Sequence, residues 1–483
     1  MNNDTYFQQI TDLYKAETFR ERGCGIITML ADYLQKASAR NIDTVLPHIT
    51  PDLMLSRWEG NFPKQPSGDF TPLLNRVIEE SNHLHHPKYI GHQVTAPLPL
   101  AVLCELVSSL LNNASAIYEM GPVNSALEKR IIQWMAELIG YEKTADGVLT
   151  SGGTLGNLTA LLAARQVKAD YDIWTQGVDR ERQFTVLVSE QSHYSVKRAV
   201  AVMGLGEDAV VPVPVDNRYH LDSNALYERY WVCTSEGRKV IAVVANACST
   251  ATGSYDDLNR IADFCEEQKL WLHVDGAHGA SALLSKQYRH RLDGIHRADS
   301  VVWDAHKMLL MPALITAVVF KDGSHSYRSF SQKASYLFEK DSRDEWYDYA
   351  HRTMECTKFM MGLKLYIPLM VYGTDFFADY ITSCMDLARE FAALIAESED
   401  FECPHEPESN IVCFRYTPSG ATNLDELQKT IRKKLLASEK FYITQAPLND
   451  GFYLRVVIIN PLTTIDDLKE LLEFVRIIDV DKK

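Results

Sequence analysis

Between about residues 95 and 370, short apolar runs alternate with longer stretches whose apolar positions recur at helical spacing. Phe184–Val188, Val240–Ala245, Leu270–Val274, Ser300–Trp303 and Leu314–Phe320 read as strands. Between them lie amphipathic stretches such as Asp256–Lys269, a helix opened by a capping Asp pair. This order predicts an α/β fold, a mainly parallel sheet covered by helices on both faces. Residues up to about 60 read as helices with an acidic and basic surface, followed by a Pro- and Gly-rich connector over 61–69. From about 371 a smaller domain is expected: a helix, the strand Asn410–Tyr416, a helix near Leu424–Ser438 and the strand Tyr453–Ile459. The expected division is a helical segment 1–94, a large domain 95–370 and a small C-terminal domain 371–483.

Several of these strands end in residues that carry chemistry. The run Ser300–Trp303 passes through Asp304 and Ala305 to His306 and Lys307. A lysine at the end of a buried strand loses hydration, which is expected to lower its pKa and free its amine for attack on a carbonyl. Leu270–Val274 runs into Asp275, and in parallel sheets the chemistry gathers at the carboxyl ends of the strands. An acid and an amine at two such ends suit pyridoxal phosphate: the acid faces the ring nitrogen and the amine takes the aldehyde. Ser151-Gly152-Gly153-Thr154-Leu155-Gly156-Asn157 is a Gly-rich turn opening an apolar helix, an anion site by its free N–H groups and dipole. Ser151, Thr154 and Asn157 are candidate side-chain donors there. No Lys follows the last Gly, so the turn is not a Walker loop. His193 follows the strand Phe184–Val188 at the start of a helix, where its ring can stack on a flat cofactor.

Together these segments resemble the group II pyridoxal-phosphate-dependent amino acid decarboxylases, from about His85 to about Phe474. The resemblance implies the aspartate aminotransferase-like pyridoxal-phosphate fold, fold type I. It makes Lys307 the Schiff-base lysine, Asp275 the partner of the ring nitrogen, His193 the stacking histidine and Ala277 the small residue beneath the ring. It puts Ser151, Gly152, Gly153, Thr154 and Asn157 on the phosphate loop and His306 on the phosphate side. Cys248-Ser249-Thr250 stands where many members have Gly-Thr-Thr, so Ser249 or Thr250 is expected near the cofactor's O3′. Asp304 replaces an Asn of the glutamate-type members and is left out of the phosphate site, because a carboxylate there repels phosphate. Ser335-Tyr336-Leu337-Phe338 resembles the loop whose tyrosine protonates the substrate's Cα, and the family pattern leaves Tyr336 or His193 as donor. Tyr453–Pro461 resembles the strand whose arginine, here Arg455, binds a substrate carboxylate. The family also implies a homodimer with active sites at the subunit interface, the N-terminal segment packing on the partner.

Composition narrows the partners. The 483 residues include 49 basic and 64 acidic side chains, a net charge of −15, which argues against nucleic acid. The longest apolar run, Met308–Phe320, has 13 residues and contains Pro312, too few to span a membrane. Nine cysteines without a Cys-x-x-Cys spacing read as reduced thiols of a cytoplasmic protein, and Met1–Tyr6 does not read as a signal peptide. His83-Leu84-His85-His86 lacks a matching thiolate or carboxylate pattern and reads as a loop before Pro87. His273, Asp275 and His278 admit a metal reading, but Asp275 is better explained by the ring nitrogen. No metal is expected.

The expected activity is decarboxylation of an L-amino acid to a primary amine. The run from His86 to Thr95 matches the segment lining the substrate pocket, with His92 and Val94 where glutamate and cysteine sulfinate members use a Gln and a polar residue. The run from His86 to Pro99 resembles the diaminobutyrate and siderophore-lysine branch, although Ile117–Val123 and Ser335–Phe338 resemble the glutamate-type members. A diamino acid is therefore placed ahead of a small acidic one, and an aromatic substrate third. An aldehyde-forming oxidase or aminotransferase on the same fold is the alternative, followed by a cofactor-free binding protein.

Overall fold

Alternation along the strands, apolar to both sides, builds two hydrophobic cores on the two faces of one sheet. The computed structural model describes residues 3–64, 68–179, 181–330 and 346–480. Seven strands form the larger sheet: β1 (Asp146–Thr150), β2 (Phe184–Ser189), β3 (Val210–Val213), β4 (Lys239–Asn246), β5 (Trp271–Asp275), β6 (Ser300–Asp304) and β7 (Thr316–Phe320). Their order is β1-β7-β6-β5-β4-β2-β3. In β7, Ala317 and Val319 enter one core while Val318 and Phe320 enter the other, as a period of two requires. The helix Leu258–Gln268 packs in the first core and the helices Gly153–Lys168 and Tyr194–Val202 in the second. Apart from the edge strand β3, nothing of these strands is exposed to dictate an alternating pattern, which is why their sequences read as continuous apolar runs.

Direction in the sheet decides where the site lies. The pairs β6–β5, β5–β4, β4–β2 and β2–β3 are parallel. β7 runs antiparallel to both β6 and β1, so β1 points the same way as the parallel block. Six carboxyl ends therefore share one edge, and β7 alone is reversed. A second sheet has four strands in the order β10-β11-β9-β8: β8 (Phe401–Glu402), β9 (Ile411–Tyr416), β10 (Thr444–Leu448) and β11 (Gly451–Val457).

The chain divides into two compact units. One comprises Met1–Gly91, Lys429–Thr444 and Asn460–Lys483; the other comprises His92–Gln428 and Gln445–Ile459. The first holds helices Ala16–Ser38, Pro51–Arg57 and Thr71–Glu80, and a small core in which Tyr89 stacks on Tyr442 with Val45 beside them. The second holds the seven-stranded sheet. Within it β1 is tethered by buried charges. Arg352 pairs with Asp146 at 2.8 Å, and Glu128 accepts the Leu149 N–H at 2.8 Å while pairing with the ammonium of Lys358. Lys358 and Glu128 are fully buried, so removing either partner strands a charge, at a cost of roughly 3–5 kcal/mol.

Candidate functional site

Most of the candidate cofactor-binding side chains follow the end of a strand. β1 ends at Thr150, and Gly152 turns the chain with φ 121°, a conformation that favours glycine, into the helix Gly153–Lys168. A Cβ on Gly153 would meet the Asp304 carboxylate at 3.2 Å, and one on Gly156 would meet Val302 and Thr316 at 3.2 Å, so both glycines let the helix settle on the sheet. The first N–H groups of that helix have no intrahelical acceptor. β2 leads to His193, which caps the helix Tyr194–Val202 through a 3.3 Å bond from the Ser195 N–H to its Nδ1. Beyond β4 come the buried Ser249 and the half-buried Thr250, in a turn where the Ser249 and Thr252 hydroxyls lie 2.6 Å apart. β5 ends in Asp275, followed by the buried Ala277, whose N–H donates to Asp275 Oδ1 at 3.2 Å. β6 ends in Asp304, and the chain bends back to present Lys307.

Lys307 keeps 20% of its side chain accessible and pairs with Asp304 Oδ2 at 3.0 Å. The expectation of a lysine with lowered pKa is corrected here. Burial pulls the ammonium pKa down, but Asp304 and Asp275 outweigh it, and the net shift is upward. Asp304 behaves reciprocally: burial raises its pKa, while Lys307, His306 and the Thr316 hydroxyl bring it below the usual range. Asp304 is 2% exposed, and its other oxygen accepts the Thr316 hydroxyl at 2.5 Å. His306 sets Nδ1 against the Ile315 backbone and Nε2 3.6 Å from Asp304.

Asn157 differs from its expected use as a donor in the Gly-rich turn. It is buried one helical turn beyond Gly153, and its amide nitrogen donates to Asp275 Oδ2 and to the Ser195 hydroxyl, each at 2.9 Å. Ser151 and Thr154 remain exposed at the turn, and the Ser151 hydroxyl bonds Glu355 at 3.2 Å. Glu355 was invisible to sequence reasoning, because two hundred intervening residues separate it from the turn. His273, weighed from the sequence only as a metal ligand, bonds Asn157 at 3.0 Å, and burial takes its pKa down to about 4. Its place two residues before Asp275 on a strand was the available signal, since i and i+2 share a face. His278 bonds Asn410 at 2.7 Å. Among the described residues no group of three His, Cys, Asp or Glu side chains is arranged to hold a metal.

Arg455 on β11 is 5% exposed and donates from Nε to the Ala251 carbonyl at 3.1 Å, beside Thr250. His92 lies on an exposed bend. Tyr336 and its neighbours Ser335, Leu337 and Phe338 fall outside the described residues.

The donor set fits pyridoxal phosphate. A glycine turn at a helix N-terminus offers N–H groups to a phosphate, a buried carboxylate held by two donors keeps lone pairs for a ring N–H, and a partly accessible lysine reaches an aldehyde. Comparisons agree. Residues 68–417 match the family model described as the pyridoxal-dependent decarboxylase conserved domain. The chain is 30% identical over 422 residues to an acidic amino acid decarboxylase GADL1 from Xenopus tropicalis, covering 85% of this chain and 82% of that one. It is 27% identical to an aromatic-L-amino-acid decarboxylase from Bacillus atrophaeus, covering 95% and 94%. A crystal structure of the glutamate decarboxylase domain of a diaminobutyrate-pyruvate transaminase and L-2,4-diaminobutyrate decarboxylase from Vibrio parahaemolyticus superposes with a TM-score of 0.83 at 25% identity, over 94% of this chain and 96% of that one.

Proposed function

The chain belongs to the pyridoxal-dependent decarboxylase family, and from that premise we propose that it converts an L-amino acid to a primary amine and carbon dioxide with its cofactor carried on Lys307. One observation carries the assignment of roles: a lysine, a buried carboxylate, an imidazole and a Gly-rich helix start meet along one edge of one sheet, from strands far apart in sequence.

Bound pyridoxal phosphate supplies an electron sink for the pair left on Cα when carbon dioxide departs. In this reading the Gly152–Gly153 turn, Ser151 and Thr154 hold the phosphate, with His306 alongside. Asp275 would hold the ring nitrogen's proton, Ala277 would leave room for the ring and His193 would stack on it, with Thr250 or Ser249 as a donor to O3′. Lys307 Nζ must give up its proton before it can act as a nucleophile, and Asp304 Oδ2 lies 3.0 Å from it. Tyr336 or His193 then delivers a proton to Cα. Arg455, already oriented by Ala251, offers a cation to a substrate carboxylate.

For the substrate we place a diamino acid such as 2,4-diaminobutyrate, lysine or ornithine ahead of a small acidic amino acid. His92 and Val94 in place of the polar pair of glutamate-type members support that order. The names of the relatives span acidic, aromatic and diamino substrates and leave it open. We further propose a homodimer, supported by a helix, Pro99–Leu111, that exposes Leu103, Leu106, Val107, Leu110 and Leu111. Nine free cysteines suit a cytoplasmic location, and among the described residues no helix is long and apolar enough to cross a membrane.

The test is amine and carbon dioxide release by the cofactor-loaded protein from 2,4-diaminobutyrate, lysine, ornithine, glutamate, aspartate, cysteine sulfinate and tyrosine. Equal amounts of amine and carbon dioxide are expected from a diamino acid. Lys307→Ala should abolish turnover and the borohydride-trapped link between protein and cofactor. Aldehyde with ammonia would instead identify an oxidase, and a keto acid product an aminotransferase.

A further inference from the structure

Asp275 is the centre of a hydrogen-bonded chain whose donors and acceptors follow from one premise, that its carboxylate accepts from Asn157. An ionised carboxylate only accepts, so the Asn157 side chain must turn its nitrogen toward Asp275 Oδ2, at 2.9 Å. Its oxygen then faces His273 Nε2 at 3.0 Å, so that nitrogen carries the hydrogen. His273 Nδ1 is left bare and accepts the Ser300 hydroxyl at 2.9 Å. Ser300 is free to donate there because its oxygen already receives the Trp271 indole N–H at 2.9 Å, and an indole can only donate. On the other side, Asn157 gives its second N–H to Ser195 Oγ at 2.9 Å. The Ser195 hydroxyl therefore points to His193 Nδ1 at 2.8 Å, which also receives the Ser195 backbone N–H. His193 is thus left with its hydrogen on Nε2. Asn157, Ser195, His273 and Ser300 are all buried, so each of these bonds replaces one to water that is unavailable.

We propose that Asn157 and His273 are positioning residues that hold Asp275 as an oriented anion for the cofactor's ring nitrogen and, through Ser195, fix His193 with Nε2 as its donor. The proposal rests on the assignment of Asp275 and Lys307 to pyridoxal phosphate. Trp271, His273 and Asp275 alternate onto one face of β5, the face covered by the helix that carries Asn157, so one strand and one helix set the whole arrangement.

The experiment titrates cofactor-free protein with pyridoxal phosphate and follows the absorption of the bound cofactor against pH, for the unmodified chain, His273→Phe and His273→Gln. His273→Phe removes the N–H that fixes the Asn157 amide toward Asp275, so the dissociation constant should rise several-fold as the carboxylate loses its orientation. The pH midpoint of the spectrum should move as well, because a ring nitrogen with a poorly held anion loses its proton more readily. His273→Gln can present a side-chain N–H toward Asn157 and should restore most of both. Equal losses in the two variants would mean that the imidazole matters only for packing and would overturn the proposal, as would a folded His273→Phe protein with unchanged affinity and midpoint. If His273→Phe fails to fold, Ser300→Ala gives the same reading, by leaving His273 Nδ1 without its donor. Failure of the unmodified protein to take up the cofactor at Lys307 is a distinct result, and it would remove the functional reading itself.

Discussion

At the scale of single residues, the informative pair is Lys307 and Asp304. The sequence placed a lysine at a strand end and suggested a neutral amine; the neighbouring carboxylate, buried behind Thr316, makes it a held ammonium instead. Asp304→Asn should therefore lower the Lys307 pKa. Because capture of an aldehyde needs the unprotonated amine, the pH profile of cofactor capture should shift to lower pH in this variant, a change readable by borohydride trapping across a pH series. Glu355 accepts from Ser151 at the Gly-rich turn, and on the proposed reading its carboxylate would oppose an incoming phosphate. Glu355→Gln keeps the shape without the charge, and the dissociation constant for pyridoxal phosphate should fall several-fold. Lys307, Asp275 and His193 were legible because each follows a recognisable apolar run. Glu355 and the Asn157–His273 bond were not, because such contacts join residues that nothing local in the chain relates.

At the scale of elements, five apolar runs and a mainly parallel sheet were legible, while β1, β3 and the reversal of β7 were not. The Leu314–Phe320 run appears as β7, yet an apolar run carries no mark of parallel or antiparallel pairing. The reversal of β7 is what brings the turn after β1 to the same edge as Lys307. That pairing has a weak point at Gly147, where an added Cβ would lie 2.0 Å from the Val318 carbonyl oxygen. Gly147→Ala should lower thermal stability, by the roughly 1–3 kcal/mol of an overpacked core or more, measured as a fall in denaturation temperature. The molecules that remain folded should bind the cofactor less well than the unmodified chain, since β1 aims the turn.

At the scale of the whole molecule, the sequence divides the chain in order, at 94 and 370. The structure groups residues 429–444 and 460–483 with the N-terminal ninety-one. Composition and patterning register where a chain changes character, and not where it returns to pack on an earlier segment. The apolar face of Pro99–Leu111 belongs to this scale too. If the chain is the proposed homodimer, Leu106→Glu with Leu110→Glu should convert it to monomer in sedimentation; an unchanged sedimentation coefficient would remove that helix from the proposed interface.

The helix Gly153–Lys168 carries the anion turn at its first residue and Asn157 one turn later. An α-helix rises about 1.5 Å per residue, so the two are about 6 Å apart along its axis. On the proposed reading it would serve as a gauge block, with the phosphate station and the ring-nitrogen station machined into one rigid piece. Cofactor analogues test the gauge. Pyridoxal lacking its phosphate still meets one station and should bind weakly. An analogue whose phosphate arm is lengthened by one carbon retains every functional group but overruns the spacing, and should lose affinity although nothing in its chemistry has been removed.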